Sequence, residues 1–125
     1  MYPKLFVSAV LLATAALAHA LEIKPYSAQA LAAAQAADKP VAIHFHANWC
    51  PTCKAQDKVL QSLKADPGLD VTLLTANYDT EKALKARFKV RTQSTIVVLH
   101  GKQERARLVG DTRADGIRGA LKKAL

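Results

Sequence analysis

Apolar and polar residues change their spacing several times along the chain, and each spacing predicts an element. Leu5 to Ala18 is one unbroken apolar to weakly polar run. Ser27 is a suitable N-cap for the Ala-rich stretch Ala28 to Ala37, which has high helix propensity and ends at Asp38-Lys39-Pro40. Val41 to Ala47 then alternates, with Val41, Ile43 and Phe45 on one face and Ala42, His44 and His46 on the other. Such a segment reads as a strand covered on both faces. Lys54 to Ala65 places Ala55, Val59, Leu60 and Leu63 at helical spacing, and Pro67-Gly68 stops it.

Val71 to Tyr78 reads as a second strand. Asp79-Thr80 is predicted to cap a short helix from Glu81 to Phe88, with Ala83, Leu84 and Phe88 facing inward. Thr95 to His100 is rich in β-branched residues and predicts a third strand. Gly101-Lys102 predicts a hairpin turn into a fourth strand, Glu104 to Gly110. Asp111 or Thr112 then caps a last helix with Ile117, Leu121 and Leu125 on one face. The predicted order is αβαβαββα, an α/β class with a mixed four-stranded central sheet flanked by helices in three layers. The final hairpin supplies its antiparallel part.

Composition alters this picture mainly at the start of the chain. The 125 residues suit one domain. Lys4, the apolar run of about 14 residues and Ala18-His19-Ala20 together form a cleavable export signal, and that run is shorter than the ~20 residues a membrane span needs. Removing residues 1–20 leaves 105, residues 21–125, and lowers the net charge from +8 to +7 because Lys4 leaves too. The expected location is the periplasm or another exported compartment, where thiols are oxidised unless something reduces them. The 18 Lys plus Arg outnumber the 10 Asp plus Glu. Lys85, Arg87, Lys89, Arg91, Arg105 and Arg107 would form a cationic surface able to steer an acidic partner. A nucleic-acid partner is not expected of an exported domain. A monomer is expected.

Two cysteines are too few for a disulfide framework or a four-cysteine zinc site. They fall as Trp49-Cys50-Pro51-Thr52-Cys53, where a strand runs into a helix, and Pro51 suits the first helical turn. Cys50 at the helix N-terminus would face unpaired backbone N–H groups and the positive end of the dipole, which favour thiolate. Cys53 lies one turn on, within disulfide reach, and can resolve a mixed disulfide formed at Cys50. A purely structural bridge across so small a loop would contribute little. Haem attachment requires His after the second cysteine, where Lys54 stands. A metal or iron–sulfur site is the rival reading, with His44 and His46 added to the two sulfurs.

The stretch Val41 to Lys54 resembles the active-site strand and helix of the thioredoxin superfamily. Asn77-Tyr78-Asp79, Phe88-Lys89-Val90, Gly101-Lys102 and Gly110 extend that resemblance over about 85 residues. The Trp-Cys-Pro-Thr-Cys run is also similar to exported thioredoxin-like reductants of cytochrome c maturation. The resemblance implies a thiol:disulfide oxidoreductase, in the reducing direction, acting on protein disulfides. It also implies recharging by a membrane thiol-reductant conductor, and no bound organic cofactor.

Two positions depart from the family. Its buried acid, six residues before the first cysteine, is here His44, which either assists proton transfer at Cys53 or is a core histidine satisfied by a neighbour. His46 shares that role or packs. The family's cis-proline is replaced by Ser94, preceded by Gln93. The Gln93–Ser94 bond is then either trans in a reshaped loop or cis and strained, a non-proline cis bond costing about 3–4 kcal/mol. Ser94 would offer a hydroxyl to Cys50. Trp49 would present a flat apolar contact to substrate, or pack in the core.

Overall fold

The computed structural model describes Val10 and residues 19–125. The predicted export signal therefore lies outside the described residues except for Val10, His19 and Ala20. The elements are β1 (Glu22–Pro25), α1 (Ala28–Ala36), β2 (Pro40–His46), α2 (Pro51–Leu63), β3 (Thr72–Asn77), α3 (Lys82–Phe88), β4 (Thr95–His100), β5 (Gln103–Val109) and α4 (Ala114–Lys122). The strands form one five-stranded mixed sheet in the order β1-β3-β2-β4-β5. β1 and β2 run parallel to β3, whereas β2–β4 and β4–β5 are antiparallel.

The alternation read from Val41 to Ala47 divides the core in two. Val41, Ile43 and Phe45 pack with Leu31 of α1 and Leu84 of α3 on one face of the sheet. Ala42 packs on the other face with Leu60 and Leu63 of α2 and Ile117 and Leu121 of α4. β4 splits likewise, Val97 and Leu99 to the first face and Ile96 and Val98 to the second. β2 and β4 thus bury both faces, which is why they read as near-continuous apolar strands.

The sheet has five strands, one more than predicted. β1 was missed because Glu-Ile-Lys-Pro carries a single part-buried apolar side chain, Ile23; backbone pairing with β3, not a pattern, makes it a strand. Asp79 and Thr80 do not cap α3: the N-cap is Glu81, without a side-chain bond, and the Asn77 side chain accepts the Asp79 and Thr80 N–H groups instead. Neither Asp111 nor Thr112 is the N-cap of α4. Arg113 holds that position, and Asp111 accepts its N–H in a turn just before the helix. Ala83 is exposed, and at the C-terminus Ala124 takes the buried position expected of Leu125, which is 50% exposed. At the hairpin, Gly101 has φ 57°, and a Cβ there would collide with Asp38.

Candidate functional site

β2 ends at His46, and Ala47-Asn48-Trp49 turn the chain into α2, with Cys50 N–H donating to the Ala47 carbonyl at 3.1 Å. Cys50 is the N-cap of α2 and Pro51 follows in its first turn, as their positions in the sequence predict. The Cys50 sulfur accepts the Cys53 backbone N–H at 3.1 Å, the bond a capping serine would make with oxygen. Both thiols are free and buried, but Cys50 is flanked by exposed Trp49 and Pro51. Burial would raise the Cys50 pKa. It is outweighed by bonds from the Cys53 thiol, the Ser94 hydroxyl and the Cys53 and Thr52 backbone N–H groups, so the pKa lies below that of an ordinary cysteine. Cys53 is pushed the other way, first by burial and then by the neighbouring Cys50 sulfur. The pair is therefore asymmetric, one sulfur prone to thiolate and the other kept as thiol.

Ser94 closes the site from the β4 side. No described peptide bond is cis, so the Gln93–Ser94 bond is trans, and the loop is reshaped by Ser94 taking φ 63°. Its N–H donates to Phe45 O and its carbonyl accepts from Gly110 N, both at 3.0 Å. Its hydroxyl lies 3.1 Å from the Cys50 sulfur and 3.2 Å from the Cys53 sulfur. A hydroxyl has one proton and two lone pairs, so it can donate to a Cys50 thiolate while accepting from the Cys53 thiol. Gln93 faces elsewhere, its oxygens accepting from the Thr92 hydroxyl.

His44 is completely buried, on the sheet face toward α2, but its contacts are with α2 side chains rather than with a sulfur. Its Nε2 is 2.8 Å from Gln56 Oε1. Its Nδ1 has no hydrogen-bond partner, and the closest carboxylate oxygen, Asp57 Oδ1, stands at 3.6 Å. Burial lowers the His44 pKa, against the opposing pull of Gln56 and Asp57. His46 Nε2 contacts Asp57 Oδ2 at 2.7 Å, beside a shallow depression lined also by Asn48, Thr75, Ala76 and Asn77. Gln56 and Asp57 escaped the sequence reading. Gln56 had a signal: Cys53, Gln56, Leu60 and Leu63 form the buried stripe of α2 at spacings of three and four, with one polar member.

The thioredoxin family model matches residues 23–123. The chain belongs to the thioredoxin family. Trxlp from Edwardsiella tarda EIB202 superposes with a TM-score of 0.75 at 37% identity, covering 80% of this chain and 98% of that one. Thioredoxin-1 of Drosophila yakuba is 32% identical over 73 residues, 58% of this chain and 68% of that protein. The thiol:disulfide interchange protein DsbD of Ralstonia nicotianae is 30% identical over 105 residues, 78% of this chain but 17% of that much longer protein. Thiol–disulfide oxidoreductase chemistry at Cys50 and Cys53 accords with this membership.

On this thioredoxin fold Trp49 is exposed, not packed in the core, and its indole N–H donates to Asp79 Oδ2 at 2.9 Å. The bond fixes a flat apolar face beside the nucleophile. Thr52 is half-buried in the first turn of α2, where its backbone N–H helps to lower the Cys50 pKa. Among the described residues, no group of three or more His, Cys, Asp or Glu is placed to hold a metal ion, and no helix is long and apolar enough to cross a membrane.

Proposed function

We propose that this thioredoxin-family protein is an exported reductant of protein disulfides. The asymmetry of its two thiols under one serine hydroxyl carries the reading. The Cys50 thiolate attacks a substrate disulfide, forming a Cys50–substrate bond and releasing a substrate thiolate, which takes up a proton. Cys53 then gives up its proton and attacks Cys50, breaking the mixed disulfide and releasing the second substrate thiol. Two electrons pass to the substrate and a Cys50–Cys53 disulfide remains. A membrane thiol-reductant conductor would return the pair to dithiol; the similarity of most of the chain to part of a DsbD supports such a donor. The signal-like residues 1–20 support export. The metal reading has no specific observation in its favour, because the Nε2 atoms of His44 and His46 are engaged by Gln56 and Asp57.

Reduction of insulin by the dithiol form, trapping of partner proteins by Cys53→Ser, and a potential near the about −270 mV of thioredoxin rather than the about −120 mV of DsbA are the expected results. No trapped protein together with no insulin reduction would overturn the reading. N-terminal sequencing of the exported form should begin at Leu21.

A further inference from the structure

Gln56 is fully buried in the apolar stripe of α2, where an unsatisfied amide would cost more than an apolar side chain of that size. All of its polar atoms are engaged. Nε2 donates to Ser94 O and to Asp111 O, both at 3.0 Å, and Oε1 meets His44 Nε2 at 2.8 Å. Two carbonyls can only accept, so the amide nitrogen must face them. Oε1 is left to accept, and His44 must therefore carry its proton on Nε2. That proton is present in neutral Nε2–H histidine and in the cation alike.

The same carbonyl of Ser94 is the backbone end of the residue whose hydroxyl lies between the sulfurs. Ser94 stands in the left-handed region, which a residue with a Cβ occupies at a cost and holds only when its surroundings impose it. Phe45 O, Gly110 N and Gln56 Nε2 are those constraints. The first two are backbone groups of neighbouring strands and loops. Gln56 is the only side chain among them, and it ties the Ser94 backbone to the helix whose cysteines meet the Ser94 hydroxyl.

We propose that Gln56 is a positioning residue for the thiol pair: anchored by His44, it holds the Ser94 backbone so that the hydroxyl stays on Cys50 and Cys53. His44 then acts through Gln56, by orienting its amide, rather than as a base on Cys53. The proposal rests on the thiol reading above but not on the direction of electron flow. It requires only a Cys50 thiolate stabilised by Ser94.

The test is the pH dependence of Cys50 alkylation by iodoacetamide, in a Cys53→Ser background, with folding verified by cooperative denaturant unfolding. Ser94→Ala should slow alkylation at neutral pH about fivefold, the change that follows when a thiol pKa rises by most of a unit. Gln56→Met, close in size but without donors, should do the same. Gln56→Met combined with Ser94→Ala should be no slower than Ser94→Ala alone, because Gln56 acts through the hydroxyl. A loss of packing would lower stability without moving the thiol pKa. Additive slowing in the double variant, or an unchanged pKa in Gln56→Met, would overturn the proposal.

Should Gln56→Met not fold, the wild-type protein supplies the measurement. Its Gln56 side-chain NH2 protons should exchange with water at least about a hundredfold more slowly than those of exposed Gln61. Equal exchange would remove the lock. If Cys50 has an ordinary pKa in the wild type, the thiol reading itself fails, a result distinct from any effect of Gln56.

Discussion

Ser94 combines a backbone cost with a chemical gain. Its φ of 63° disfavours any residue with a Cβ, yet only a side chain there can place an oxygen on both sulfurs. Ser94→Gly separates the two. It should leave the fold as stable or raise its stability by about 1 kcal/mol, while raising the Cys50 pKa. Urea unfolding and alkylation kinetics on the same sample check this; a variant that loses both stability and thiolate character would show the hydroxyl to be structural. His44 makes a second residue-scale prediction. Its folded pKa is depressed by burial, so below about 6.5 the unfolded chain binds a proton that the folded chain refuses. The stability it contributes is present above that pH and is lost as pH falls toward the folded value. Replacing His44 by Gln removes this titration. The wild type should lose stability on acidification from pH 6.5 with a slope reaching about 1.4 kcal/mol per pH unit more than the variant. Parallel slopes in urea titrations across that range would refute a buried neutral histidine.

At the scale of elements, what could be read from the chain depended on whether local pattern or distant partners formed the element. β2 and β4 announced themselves by apolar alternation and β-branched runs, and α2 by its stripe and by Pro51. The strand-to-helix junction of the two cysteines was therefore legible. β1 was not, because its four residues are mainly polar and become a strand only by pairing with β3. The left-handed Ser94 and the Gln56–Ser94 bond were equally silent, the latter joining residues 38 apart in sequence. Yet β1 is no ornament. Leu21, just before it, is 3% exposed and packs in the core under α2 and α4, and Glu22 N–H bonds Val71 O at 3.0 Å. Leu21→Ala should cost about 2–3 kcal/mol, the lower part of the range for such truncations, because a strand near the chain end can relax around the cavity. Denaturant unfolding measures it; a loss under 0.5 kcal/mol, roughly the scatter of surface substitutions, would show β1 to be dispensable.

Over the whole molecule, the excess of 18 basic over 10 acidic side chains survives ion pairing, because each Arg–carboxylate pair removes one charge of each sign. Asp57 is taken up by His46, Glu104 by Arg107, Asp111 by Arg113 and Asp66 by Arg118. Part of the predicted cationic surface is also engaged: Lys85 stacks on Tyr78 at 3.9 Å, Arg87 bonds Gln35, and Arg107 bonds Phe88 O. Lys89, Arg91 and Arg105 remain exposed. Arg91 lies three residues before Ser94, and its carbonyl is held by the Tyr78 hydroxyl at 3.1 Å, so positive charge flanks the loop that closes the thiol site. Charge of one sign near a reactive centre raises the encounter rate of oppositely charged partners, and salt removes the effect as the Debye length shrinks. Two disulfide peptides of equal potential, one flanked by Asp and Glu and the other by Lys and Arg, measure it directly. At low salt the acidic peptide should react about tenfold faster. Raising ionic strength from about 0.02 M to about 0.5 M should bring the two second-order rate constants together, mainly by slowing the acidic one. A ratio that salt does not change would place the selectivity in local contacts such as the exposed Trp49 face, and leave the net charge without a part in substrate choice.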